Sequence, residues 1–188
     1  MQPFKSNKQQ LDALEADATK LWIPIPDLVH IPTVGEMLGR PLSNRFIGNL
    51  ITTYSPLQPG EQYFVQEEFK EMPPTRSITN RYGRQEVAYL YKSTYTFNGS
   101  HIDWQPTDQM TEQQSRFKFT VTNVEIKQVQ DISVADYIGL GFTDGGTGGS
   151  IYFNGTAQES LDEWHDSQYP NTPYSSNPHG FLVSIERI

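Results

Sequence analysis

The segment that most limits how this chain can fold is residues 116–129, RFKFTVTNVEIKQV. Apolar and polar residues alternate along it, which is the pattern of a β-strand with one buried face. The alternation slips by one residue near Asn123, and such a slip indicates a β-bulge or a bend. Because a strand of this length needs hydrogen-bonding neighbours, the segment predicts a sheet at the centre of the fold.

Three other segments predict strands for that sheet. Residues 61–69 follow a Pro-Gly turn, residues 87–97 are rich in tyrosine, and residues 181–188 close the chain with apolar residues. Both the turn signals and the aromatic content are typical of strands. Aromatic residues form 12% of the chain, and this favours a β-rich core over a helical bundle.

The predicted helices are few and mostly short. Apolar residues at helical spacing predict a helix over residues 7–22, ended by Pro24. A capping-box pattern predicts a second helix at residues 33–38, ended by Gly39. A third is expected over residues 131–139 with Ser133 as its N-cap, and a single turn over residues 161–164.

These elements predict an α+β fold built as a small β-barrel, because the strands are short and no strand–helix alternation runs along the chain. Residues 1–32 are interpreted as an N-terminal helical extension and residues 33–188 as the main domain. Within that domain, the glycine-rich residues 139–155 are interpreted as a flexible insert.

Charge and composition narrow the classes of function. A net charge of −8 argues against general binding of a phosphate backbone, which needs a positive field, and favours a small ligand or a local basic patch. The chain has no cysteine, which excludes disulfides, thiolate catalysis and cysteine-based zinc sites. No apolar run approaches the roughly 20 residues of a membrane helix, so we expect a soluble cytoplasmic protein that does not bind membranes.

Two further segments contain residue types that occur in metal sites and in phosphate-binding loops. His165, Asp166 and His179 do not have the spacing of a known metal motif. The glycine-rich run at residues 145–150 lacks the lysine that a phosphate-binding loop requires. We therefore expect no metal and no cofactor.

Several short segments, in chain order, resemble the ASCH family of the PUA-like superfamily of small β-barrels, in the version often carried by bacteriophages and prophages. The segments are GRPLSNRF (39–46), PGE (59–61), FVQEEF (64–69), YKS (91–93), WQPTDQM (104–110), SRF (115–117), QDIS (130–133), NP (177–178) and ERI (186–188). The QDIS segment, followed by Asp136, is the strongest of these matches. The resemblance covers residues 33–188 and implies a PUA-like barrel; for a phage protein, the expected location is the host cytoplasm.

The resemblance also bears on catalysis. Some ASCH proteins resemble amidohydrolases that act on acetylated cytidine with a lysine, a threonine and a glutamate. The matching positions here are Pro41, Asn44 and Glu67. Proline offers no proton and asparagine is a poor nucleophile, so the substitutions argue against an inherited hydrolase activity.

Glu67 and Glu68 are adjacent on the predicted strand, so their side chains should point to opposite faces. Through the resemblance, Glu67 is expected in the cleft, where it would accept hydrogen bonds from a base edge as carboxylates do from cytosine. Glu68 is expected to be solvated. An alternative is that both are charges on an exposed sheet edge.

The favoured hypothesis is a module that binds a nucleotide, a modified nucleoside or single-stranded nucleic acid. Its candidate ligand-binding residues are Arg45, Asn44, Glu67, Lys92, Trp104 and Arg116. One alternative is a small hydrolase or nuclease, in which Glu67 and Lys92 would be catalytic and would lie within hydrogen-bonding reach. Another is a phage accessory protein that binds a host protein, with a filled cleft and an exposed apolar helix face.

Overall fold

A computed structural model describes residues 1–25, 43–72, 78–79, 85–86, 89–95, 102–142 and 157–188. The strands in these ranges are β1 (Gln2–Lys5), β2 (Lys20–Pro24), β3 (Gln62–Gln66), β4 (Phe69–Glu71), β5 (Ile78–Thr79), β6 (Gln85–Glu86), β7 (Tyr89–Tyr91), β8 (Lys118–Gln128) and β9 (His179–Arg187). The α-helices are α1 (Lys8–Glu15), α2 (Asn44–Tyr54), α3 (Val134–Gly139) and α4 (Ala157–Gln168).

The centre of the fold is a five-stranded mixed sheet in the order β1-β3-β8-β9-β2. β1 pairs with β3 in parallel, and the other neighbours are antiparallel. Two small antiparallel pairs, β4–β7 and β5–β6, accompany it. The α+β class is confirmed, whereas closure of the strands into a barrel stays a prediction.

β8 forms as the sequence indicated, and its register against β9 shifts between Val121 and Asn123. The bulge or bend predicted near Asn123 is therefore confirmed as a shift in register at that place. The final strand is confirmed as β9. Ser133 caps α3 in a reciprocal capping box with Asp136, which confirms the third predicted helix and its N-cap.

The predicted N-terminal helix is wrong in its second half. α1 ends at Glu15, and Asp17 adopts the left-handed conformation at φ 60°. The amide of Ala18 donates to Ala13 O and that of Asp17 to Leu14 O, which is the hydrogen-bond pattern of a Schellman motif. The chain then enters β2, an edge strand that tolerates Pro24 at its end.

Other boundaries also differ from the sequence prediction. The tyrosine-rich strand is shorter, since β7 spans Tyr89–Tyr91 and a 3₁₀ turn, Lys92–Thr94, follows. The C-terminal helix is longer, because α4 spans Ala157–Gln168. The helix expected at residues 33–38 and most of the glycine-rich insert lie outside the described residues, as does the predicted domain division at residue 32.

The sheet carries a hydrophobic cluster on each face, because neighbouring residues on a strand point in opposite directions. Leu21 joins a cluster with α1 and α2, whereas Trp22 joins a cluster with α3 and α4. Phe181 and Leu182 divide in the same way on β9. Residues 1–25 are thus part of the central sheet and of both clusters. No helix in the described ranges is long and apolar enough to cross a membrane.

Candidate functional site

Glu67 lies directly after β3, at the point where the chain leaves the central sheet to enter β4. Only 3% of the residue is exposed. The preceding side chains of β3, from Tyr63 to Gln66, are all buried, so this end of the strand carries the carboxylate into the protein interior. An isolated carboxylate would be costly there and needs a positive partner.

Arg116, just before β8, supplies that partner. Its Nε donates to Glu67 Oε1 at 2.7 Å, and its Nη2 donates to Glu67 Oε2 at 2.9 Å. Two parallel bonds of this kind fix both the position and the plane of a carboxylate. Burial disfavours the charged guanidinium, but the hydrogen bonds and charge of Glu67 outweigh this and raise the pKa of Arg116.

Further contacts hold the pair in one arrangement. Ser93 Oγ donates to Glu67 Oε2 at 2.7 Å and also lies 2.7 Å from Arg116 Nη2. The guanidinium stands over the rings of Tyr91 and Phe117, with its Cζ at 4.8 and 4.6 Å from the two ring centres. Such stacking favours the cation and restricts its movement.

A pocket of about 340 Å³ lies beside this cluster. Its volume is near the lower end of the range for small-molecule sites. The lining combines acidic, basic, hydroxyl and apolar side chains: Ser6, Leu11, Glu67, Glu68, Lys92, Ser93 and Thr107. Glu67 is therefore a buried residue of the pocket wall, and Arg116 supports it without itself lining the pocket.

The N-terminal segment forms part of this wall, a role that the sequence did not indicate. Ser6 and Leu11 line the pocket, and Glu15 of α1 accepts a hydrogen bond from Arg116 Nη2 at 2.6 Å. The helical spacing of Leu11 predicts only that it is a core residue. The other lining residues after Ser6 follow it by more than 50 positions, so no local pattern indicates that they meet. Ser93 was within reach of sequence reasoning, because it belongs to the YKS segment beside Lys92.

Glu68 is the other acidic residue of the pair, and it also lines the pocket. Its side chain is 42% exposed and pairs with Lys92, whose Nζ lies 2.6 Å from Glu68 Oε2. The hydrolase alternative required Lys92 to approach Glu67. In the structure the hydrogen bonds of Glu67 go to Arg116 and Ser93 instead.

Two of the remaining sequence candidates, Arg45 and Trp104, are not brought to the pocket. Arg45 is exposed in the first turn of α2, and the side chain of Asn44 lies outside what the structure describes. Trp104 is half-buried and packs edge to face against Tyr95, with 5.6 Å between the ring centres. Neither Arg45 nor Trp104 lines the pocket in the described part of the chain.

Comparisons with protein-family models, with characterised proteins and with solved structures give no match. The chemistry of the pocket must therefore be argued from its own geometry. Among the residues that the structure describes, no group of three or more histidine, aspartate and glutamate side chains is placed to hold a metal ion.

His165 is the one buried histidine in the described ranges. It is fully buried in α4 against Trp164, Tyr169 and Tyr174. Among the described residues, neither ring nitrogen has a hydrogen-bond partner, and Oδ1 of Asp166 lies 3.8 Å from Nδ1. Burial lowers the pKa of His165, and the charge of Asp166 only partly opposes this effect.

This arrangement predicts a loss of stability in acid. Because the pKa is lower in the folded state, the unfolded chain binds the extra proton as the pH falls through about 6.5. The free energy of unfolding should then fall by at most about 1.4 kcal/mol per pH unit for this group. Denaturant titrations between about pH 8 and about pH 5 measure the slope.

His165→Phe keeps an aromatic ring at the position and removes the titration. The variant should show a shallower slope than the wild type, and a residual slope is expected from His179, whose pKa burial also lowers. Equal slopes in the two proteins would rule out His165 as the cause.

Proposed function

We propose that this chain is a binding module of the ASCH type, a PUA-like barrel whose pocket beside Glu67 takes a nucleobase or a nucleoside. The observation that carries the proposal is the fixed, buried carboxylate in the wall of a small pocket. Its orientation is set by Arg116 and Ser93 before any ligand arrives. Preorganised acceptors of this kind reduce the entropic cost of binding.

The carboxylate retains capacity to bind a ligand. Each carboxylate oxygen has two acceptor positions, and among the described residues Oε1 of Glu67 accepts one hydrogen bond, from Arg116 Nε. The second position suits an amino or ring N–H group, as on the edge of a base. Leu11 offers apolar surface for the flat face of such a ligand, and Ser93 and Thr107 supply hydroxyl groups.

A binding role is favoured over hydrolysis by the partners of the two acidic side chains. A general base must be free to take a proton from water or substrate. Glu67 is instead held by an arginine and a serine, and Lys92 by Glu68. The protein-binding alternative draws support from Val134 and Ile138, exposed one turn apart on α3, but two side chains are far smaller than a stable interface.

A thermal-shift screen against nucleosides tests the proposal. A ligand present at about 100 times its dissociation constant adds about 2.7 kcal/mol to stability, which raises the Tm of a chain of this size by about 5–10 °C. Cytidine and its base-modified forms are the first probes. Glu67→Gln, compared with its own ligand-free Tm, should lose the shift because the carboxylate acceptor is gone.

Glu71→Gln is the matched control, since Glu71 is an exposed residue of β4 that does not line the pocket. It should keep the full shift. No shift in the wild type with any nucleoside or base, or an equal shift in Glu67→Gln, would count against the proposed function.

A further inference from the structure

The Glu68–Lys92 pair at the pocket is positioned by the backbone as well as by its charges. Phe69 of β4 pairs with Tyr91 of β7, so the residues next to them face each other across the end of the ladder. The amide of Lys92 donates to Glu68 O at 2.9 Å. The two side chains then meet with Nζ 2.6 Å from Oε2. A cross-strand pair held in this way keeps one partner close to the other.

Charges in the wall are balanced in pairs. Lys92 is the cationic side chain among the described lining residues, and it is matched by Glu68. Glu67 is matched by Arg116, which lies outside the lining. An incoming phosphate that reached Lys92 would therefore meet the charge of Glu68 at the same place. The attraction to one side chain would be offset by repulsion from the other.

We propose that Glu68 determines the charge selectivity of the pocket: by neutralising Lys92, it makes the pocket select uncharged ligands over their phosphorylated forms. The identity of the ligand rests on the proposed function, whereas the selectivity rests on the pairing of Glu68 with Lys92. Removing the carboxylate alone should free Lys92 and turn it into an anion-binding group.

Glu68→Gln is a clean variant for the test. The pair is exposed, and exposed pairs add little to folding stability, so the variant should fold as the wild type does. Isothermal titration with cytidine and cytidine 5′-monophosphate should give tighter binding of cytidine to the wild type. In Glu68→Gln, the ratio of the affinity for the monophosphate to the affinity for cytidine should rise about tenfold.

Two controls separate this explanation from others. The double variant Glu68→Gln/Lys92→Gln should lose the gain for the monophosphate, because the freed amine is the group that binds it. The gain in the single variant should also shrink as salt is added, since the partners are exposed charges. Tighter binding of the monophosphate than of cytidine by the wild type, or an unchanged ratio in Glu68→Gln, would overturn the proposal.

Inorganic pyrophosphate tests the charge selectivity independently of the nucleoside. Glu68→Gln should bind it more tightly than the wild type, and the double variant should not. If cytidine and its monophosphate bind to none of the proteins, the base-binding function fails for these probes. The pyrophosphate comparison then still decides the role of Glu68: a gain in the single variant supports it, and no gain overturns it.

Discussion

Replacing Arg116 by methionine is expected to lower the free energy of unfolding by about 3–5 kcal/mol. The guanidinium holds a carboxylate that is only 2% exposed in its side chain, at 2.7 Å. Removing one partner of a buried pair leaves the other charge without compensation, and this costs far more than the pair itself contributes. Ser93 would remain as one hydrogen-bond donor to Glu67. Urea unfolding followed by circular dichroism measures the change.

Arg187→Met is the matched control, because it makes the same substitution at an exposed pair. Arg187 Nη1 lies 2.8 Å from Asp17 Oδ1, and the two side chains are 40% and 86% exposed. Its loss should cost less than about 1 kcal/mol. The double variant Glu67→Leu/Arg116→Met should lose less stability than the two single variants lose when their losses are added, since it leaves neither charge without its partner. Equal effects of Arg116→Met and Arg187→Met would show that the Glu67 carboxylate does not depend on Arg116.

Replacing Gly180 by alanine is expected to destabilise the fold by about 1–3 kcal/mol or more. A Cβ atom at this position of β9 would lie 2.3 Å from Cζ2 of Trp22 and 2.6 Å from two further ring atoms. Real Cβ atoms essentially never come closer than 3.0 Å to such neighbours. Trp22 is fully buried among the residues of the α3–α4 face, so its ring cannot move without displacing the core. Urea unfolding followed by circular dichroism measures the change in stability.

Gly48→Ala is the control, because the same substitution is expected to have the opposite effect on stability at this position. Gly48 is exposed on α2, and a Cβ atom there would meet nothing within 4 Å. Alanine should therefore stabilise the helix by about 0.5–1 kcal/mol. If Gly180→Ala were as stable as the wild type, the result would contradict the close contact between the Trp22 ring and Gly180.

Local signals were enough to predict several elements. The alternation of residues 116–129 predicted a strand with a bulge or bend near Asn123, and β8 has a shift in register at that place. Ser133 predicted a capped helix, and in the structure its side chain accepts a hydrogen bond from the amide of Asp136, only three residues away. Elements of this kind depend on neighbours in the chain, and a pattern of a few residues contains the required information.

The N-terminal segment shows where periodicity fails. Leu21 stands at helical spacing from Leu14, yet it lies in β2 and packs into the cluster with α1 and α2. The spacing is compatible with a helix that continues through Leu21 and also with the strand β2. The strand forms because it pairs with β9, more than 150 residues later in the chain. Burial of Trp22 beside Gly180 is part of that choice, because tertiary packing overrides local propensity.

The candidate site divides in the same way. The sequence could identify single candidate site residues, since titratable residues near the ends of predicted strands can be recognised in it: Glu67, Lys92 and Arg116. Their pairing could not be predicted, because Glu67 and Arg116 are 49 positions apart and their meeting depends on the register of β3 against β8. Glu67 pairs with Arg116, and Glu68 pairs with Lys92. In the proposed function, this choice of partners determines whether the pocket prefers a neutral or an anionic ligand.

The sequence by itself determined the strands at residues 116–129 and 181–188, the irregularity near Asn123, one helix cap and the acidic balance of the chain. All of these depend on residue type or on near neighbours. Only the tertiary structure decided that β1 and β2 belong to the central sheet, that Ser6 and Leu11 line the pocket, and that a partly buried arginine neutralises Glu67. These features are contacts between distant parts of the chain. They form because burying apolar surface and matching buried charge stabilise one global arrangement, and no short segment specifies that arrangement alone.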